Sequence, residues 1–247
     1  SAPVIYRLKV KHLLETVGLK FNEVVVFLDV SDIYDQARRY RWDGKGNLIV
    51  PPAPQPSLGD RARLWLRDVS LLARFGFVAY DHLRAIAAFA NQRLEVSNAW
   101  GKPLSSVDAY DRWLFSVTQT VFSSWTFNDE RWRAYGKLGR ERAVRDMDGL
   151  NEMLKERGIG LTLAIYPWPD QMFHDRQAPR HQGFWRDWAA DKGVPFISLF
   201  PAFTKEKPRI VMEKYFIPFD FHWNAAGHKL VADTFLQQFI PRPASGR

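Results

Sequence analysis

Asp220 and His222 lie two residues apart in the segment Phe219-Asp220-Phe221-His222-Trp223-Asn224-Ala225-Ala226-Gly227-His228. On a turn or an extended segment, alternate side chains can point the same way. A carboxylate so placed accepts the imidazole Nδ1–H, fixes its tautomer and stabilises the imidazolium, leaving Nε2 as a general base for a hydroxyl. The same pair also fits a structural histidine near a helix start. A metal site of Asp220, His222 and His228 is a third reading. His228, however, falls inside the helix that Asn224 caps and is expected to face elsewhere, so no metal or organic cofactor is expected. His174 and His181 sit in a polar stretch and are expected to be solvated. Tyr166 and Trp168, flanked by Pro167 and Pro169 after an apolar run, either stack on a sugar or cap the core. There is no cysteine, which excludes disulfides, thiolate nucleophiles, zinc–thiolate sites and iron–sulfur clusters.

The 247 residues are 46% hydrophobic and 25% charged, enough for a substantial core without a disulfide or metal staple. The net charge of +8 suits an anionic partner such as an acidic glycan, a membrane surface or nucleic acid. The basic residues are scattered, and no aromatic-interleaved RNA motif accompanies them, so nucleic acid is not an expected partner. No apolar run is long enough for a transmembrane segment, and the first residues do not read as a signal peptide. The start at Ser1-Ala2-Pro3, without Met, reads as a processed or truncated chain.

The elements that would position these residues alternate. Residues 5–17 read as an amphipathic helix stopped by Gly18. Val24–Leu28 reads as a strand buried on both faces, ending in the polar turn 29–32. The stretch 43–60, rich in Gly and Pro, reads as a long loop or flap. Residues 61–97 carry helical patterning, and 98–138 are irregular and rich in Trp and Phe. A charged helix over 139–157 closes at Gly158 and leads into a buried strand, Gly160–Ile165. A helix near Phe184–Lys192, a strand over 193–199 and a last helix from Asn224 to Phe239 follow. Helix–Gly–strand punctuation at Gly18, Gly158 and Gly193 predicts βαβ units on a mostly parallel sheet. Ligands of such sheets bind beyond the carboxyl ends of the strands, which selects Asp29–Asp35, Tyr166–Asp170 and the residues after Leu199.

Asp-x-His-Trp-Asn-x-x-Gly-His before a terminal helix resembles the last conserved block of SGNH (GDSL-like) hydrolases. Val24–Asp35 is similar to the family's third block, a buried strand leading into Gly-x-Asn-Asp. Tyr166-Pro167-Trp168-Pro169 and Phe196–Phe200 fit the layout of bacterial members that act on cell-surface polysaccharides. The resemblance runs in order along nearly the whole chain. It implies a single α/β domain over residues 1–247, a three-layer α/β/α sandwich of SGNH or flavodoxin-like type, with an insertion at about 43–138.

By the same resemblance His222 is the base of a Ser-His-Asp triad and Asp220 its orienting carboxylate. Ser31, Asp32, Tyr166, Trp168 and Asn224 become candidates for oxyanion or substrate binding. The implied activity is ester hydrolysis or O-acyl transfer on an extracellular glycan, in an extracytoplasmic setting. The alternative is a non-catalytic carbohydrate-binding or polysaccharide-assembly protein of the same fold. Ser31 stands where the family has its oxyanion-hole Asn, and Asp29 where it has Gly, which puts a charge near the developing oxyanion. No Gly-Asp-Ser occurs in the chain. The expectation is therefore that the first strand and its nucleophilic serine lie outside it, and that the chain alone is inactive.

Overall fold

The computed structural model describes residues 2–43, 45, 47–50, 57–177 and 179–241. The Pro-rich run 51–56, read as part of a loop or flap, lies outside them. The chain divides into two compact units, one of Ser1–Val50 with Ser116–Arg247 and one of Pro51–Phe115.

The first unit carries the sheet. Helix α1 (Pro3–Glu15) leads through Gly18, at φ 71°, into β1 (Glu23–Leu28), and α2 (Asp32–Arg38) follows the turn after β1. A short hairpin of β2 (Arg41–Trp42) and β3 (Leu48–Ile49) comes next, its second strand within the stretch read as loop. In the second unit, α3 (Leu58–Val69) and α4 (Leu71–Trp100) form the predicted helical stretch, and α5 (Ala109–Val117) spans the end of that unit. The stretch 98–138 is more regular than expected. Besides α5 it holds short 3-10 turns at Leu104–Ser106 and Ser124–Thr126, α6 (Asp129–Arg131) and a π turn at Trp132–Gly136. These pieces are too short to show a hydrophobic period.

Helix α7 (Lys137–Lys155) buries Gly139, Ala143, Met147, Leu150 and Leu154, a stripe at three- and four-residue spacing. Its glycines permit close approach: a Cβ at Gly139 would lie 2.1 Å from the Ile33 carbonyl oxygen, and one at Gly149 2.6 Å from the Arg7 guanidinium carbon. The same stripe buries Asp146, whose carboxylate is matched by Gln36 Nε2, by Trp42 Nε1 at 3.1 Å and by Arg7 Nη1 at 3.6 Å. A buried carboxylate is tolerated only with such partners.

Gly158, at φ 67°, turns the chain into β4 (Gly160–Ile165), all six residues of which are buried. After α8 (Pro169–His174) and α9 (Arg180–Lys192) comes β5 (Phe196–Ser198), shorter than the predicted strand over 193–199. Gly193 (φ 64°) and Val194 are taken up by the α9 cap, where the Val194 N–H bonds the Ala189 carbonyl, and Pro195 has no N–H to give a ladder. Helices α10 (Phe200–Thr204), α11 (Pro208–Tyr215) and α12 (Ala225–Gln238) follow.

The sheet is parallel, in the order β1-β4-β5, with Glu23 opposite Gly160 and Leu163 opposite Phe196. The class is mixed α/β with a small parallel sheet. The expectation that β1 is buried on both faces is corrected: Val26 and Leu28 enter the core, but Phe27 is 37% exposed, its ring 5.3 Å from that of Phe235 in α12. Strand β1 lies at the sheet's edge, and among the described residues no strand pairs with its other side. No helix among them is long and apolar enough to cross a membrane.

Candidate functional site

The segment between α11 and α12 is built as a tight loop that lifts Asp220 and His222 out of the chain. Phe216 bridges Trp223 in antiparallel fashion, and the Ile217 N–H bonds the His222 carbonyl at 3.0 Å. Inside this frame the Asp220 N–H bonds the Ile217 carbonyl, with Pro218 at the second turn position and Phe219 at φ 62° at the third. That third position normally takes Gly or Asn, so a phenylalanine there carries backbone strain immediately before Asp220. Asn224 anchors the other end. Its Oδ1 accepts from the Gly227 N–H at 2.9 Å, capping α12 as predicted, and its Nδ2 donates to the carbonyls of Lys214 and Phe216. Asn224 thus holds the loop, and its amide is engaged by backbone.

The result is the predicted pair. His222 Nδ1 lies 2.6 Å from Asp220 Oδ1, and the same oxygen accepts the His222 backbone N–H at 3.0 Å. These two bonds, the backbone one first, hold the Asp220 carboxyl below its ordinary range. The His222 side chain is 68% exposed, so Nε2 is accessible. Its ring stacks on Phe221, which in turn stacks on Trp168 at 5.7 Å.

His222 opens on a cavity of about 300 Å³ walled by Tyr166, Trp168, Phe216, Phe221 and Trp223, with Asp29 and His228 as its other ionisable lining groups. The reading of His228 as facing elsewhere is therefore corrected: its ring sits edge-on to Trp223 at the cavity. Gly227 accounts for this. A Cβ there would lie 2.2 Å from the Tyr215 carbonyl oxygen, so only glycine lets the first turn of α12 approach closely enough to bring His228 to the wall. Among the described residues no three His, Cys, Asp or Glu side chains converge as a metal site.

Asp29, at the carboxyl end of β1, is the polar centre of the wall. Its Oδ1 accepts the Ser31 N–H at 2.7 Å, and its Oδ2 accepts the Tyr166 hydroxyl and Trp168 Nε1–H, the latter at 2.8 Å. The carboxylate is thereby matched by three donors, which lessens its opposition to charge developing in the cavity. Burial, then the charge of Asp29, pushes the Tyr166 phenol far up, so it stays a donor. The polar atoms of Tyr166 and Trp168 are both engaged by Asp29, and both residues line the cavity.

Ser31 and Asp32 are not among the cavity's lining residues. Asp32 is buried under the Asp29 turn, where it accepts the Tyr6 hydroxyl at 2.7 Å and the Asp29 N–H at 3.0 Å. Burial, then the charge of Asp29, raises its carboxyl to about 7. The folded chain therefore holds this proton more tightly than the unfolded one. The stability so gained is full below about pH 4 and is lost as the pH climbs through the folded value near 7. Across that window stability should fall as the pH rises. Asp32→Asn keeps an acceptor for Tyr6 and should flatten this part of the profile. Denaturant unfolding of both proteins from about pH 4.5 to about pH 8 measures the slopes; parallel slopes would contradict the assignment.

Of the other histidines, His174 ends α8 exposed, its ring 4.8 Å from Phe127. His181 is not solvated as expected but fully buried on α9, edge-on to Trp125, and burial pushes it down to about 4, so it is neutral. The sequence reading makes Asp29 a charge near a developing oxyanion and His228 a possible metal ligand, and it gives the walls Phe216 and Phe221 no role. No protein-family model, no curated protein and no solved structure matches the chain.

Proposed function

We propose that this chain carries the base half of an SGNH-like serine ester hydrolase or O-acyltransferase, in a three-layer α/β/α fold, acting on an acylated extracellular glycan. The observation that carries the reading is the Asp220–His222 pair, with Nε2 free, opening on an aromatic cavity beside the carboxyl ends of β1 and β4. Asp220 fixes the tautomer, and Nε2 takes the proton of an attacking hydroxyl and later returns it to the leaving alcohol. Trp168 and Tyr166 offer ring faces for a sugar. Among the described residues the wall holds no Ser or Thr, and the Tyr166 hydroxyl is bound to Asp29. In this proposal the nucleophile is a serine of a Gly-Asp-Ser segment outside these residues.

The same observation favours a second reading, a glycan-binding protein that keeps the cavity without the nucleophile. Two measurements separate them. The 247-residue chain should hydrolyse an aryl acetate no faster than free imidazole at equal concentration. Turnover above that level, lost in His222→Ala, would place the nucleophile within the chain. The codons upstream of Ser1 should encode a strand followed by Gly-Asp-Ser; an upstream sequence without it would leave the binding reading.

A further inference from the structure

Aromatic residues and a carboxylate together wall the cavity at His222. Tyr166 and Trp168 follow β4, and Phe216, Phe221 and Trp223 belong to the loop between α11 and α12. Their rings do not form one flat platform. Tyr166 meets Trp223 at 67° with centroids 4.9 Å apart, whereas Trp168 stacks on Phe221 at 28°. The wall therefore has a corner, and a volume of about 300 Å³ is at the small end for ligand cavities. Such a space suits one compact head group.

The charge on the wall decides the kind of head group. Asp29 lines the same cavity. Its donors, the Ser31 N–H, the Tyr166 hydroxyl and the Trp168 indole N–H, are all neutral, so they solvate the carboxylate without cancelling its charge. Among the described residues the wall holds no Lys or Arg, and its groups able to turn positive are His228 and His222, the latter paired with Asp220. A carboxylate among aromatic residues attracts a cation, through the ring quadrupoles and through a Coulomb attraction that grows as water is displaced. Hydrogen bonding selects the cation. An ammonium brings donors that each need an acceptor, but Asp29 Oδ2 already takes two donors and Oδ1 one. A quaternary ammonium brings no donor and needs only charge and apolar contact. We propose that this cavity binds a quaternary ammonium head group of the trimethylammonium type. The inference rests on the reading of the cavity as the substrate site, but it does not require His222 to act as a base.

Titration calorimetry on the 247-residue chain, at about pH 8 and so above the ordinary range of histidine, tests it. Choline should bind at least about tenfold more tightly than neohexanol, which puts carbon in place of the nitrogen and keeps the shape without the charge. Phosphocholine distinguishes the sources of the head group. Binding as tight as that of choline assigns it to a phosphocholine-bearing ligand, and weaker binding assigns it to choline or its esters, both in support of the site. Asp29→Asn keeps an acceptor oxygen at the turn and should remove the preference for choline over neohexanol. Should that variant misfold, Phe221→Leu offers a second test, because Phe221 is 47% exposed and its replacement stays apolar. Loss of that ring should reduce the preference by about two- to fivefold. Choline that fails to bind at about 10 mM, or that binds no better than neohexanol, would overturn the proposal. No turnover is measured, so that failure would leave the role of His222 standing, and an extended form without esterase activity would leave choline binding intact.

Discussion

His222→Ala, in a form of the protein that carries the Gly-Asp-Ser strand, should lower kcat by about 10³-fold or more while leaving KM for an aryl acetate within a few fold. The size follows from the role. Without Nε2 the attacking hydroxyl must lose its proton to water, and the leaving alcohol must gain one from water, so both steps of acyl transfer suffer. KM changes little because the ring faces of Trp168 and Tyr166 are untouched. Asp220→Asn should be harmful but less so. Its side chain can still accept from the His222 backbone N–H, the bond made at 3.0 Å by the carboxylate, but it cannot stabilise the imidazolium. Stopped-flow hydrolysis of both variants separates a base from a histidine that only shapes the loop: a loop role would raise KM and leave kcat in place.

Gly227→Ala should be the most damaging single methyl group near the site. The added Cβ would meet the Tyr215 carbonyl oxygen at 2.2 Å and Trp223 Cβ at 2.9 Å. Neither can yield locally, since the Tyr215 carbonyl already accepts the Asn224 N–H, and Trp223 is held by the Phe216 bridge. Helix α12 must shift off α11, at a cost of about 3 kcal/mol, or roughly 6–12 °C in Tm for a chain of this size. The shift would move Trp223 and His228, two walls of the cavity, so ligand binding should fall with stability. Gly183 supplies the control: it lies in α9 with nothing within 4 Å of an added Cβ. Gly183→Ala should therefore stabilise by about 0.5–1 kcal/mol. Equal Tm values for the two variants would refute the close-approach argument.

How much of this was legible depended on whether the cause was local. Gly18, Gly158 and Gly193 mark helix ends because the left-handed conformation they adopt is disfavoured by a side chain at that residue alone. Asp220 and His222 were legible for the same reason, the whole interaction spanning two residues. Strand β1 misled, since its run of Val and Phe says that it pairs but not that it lies at an edge, which is a property of the sheet. The Asp29 network was invisible in sequence: Tyr166 and Trp168 reach it from 137 and 139 residues away. His181 was misread from its polar neighbours, yet His181, Trp185 and Trp188 sit at helical spacing on one buried face of α9. There the period carried the information and the local polarity did not.

Labelling with a serine-directed phosphonate tests the central claim, that His222 is the base for a nucleophile supplied from outside these residues. In a form extended to include the Gly-Asp-Ser strand, the probe should modify that one serine stoichiometrically. His222→Ala should abolish the reaction, and the 247-residue chain should remain unlabelled. Labelling of the extended form that persists at the same rate in His222→Ala would contradict the account.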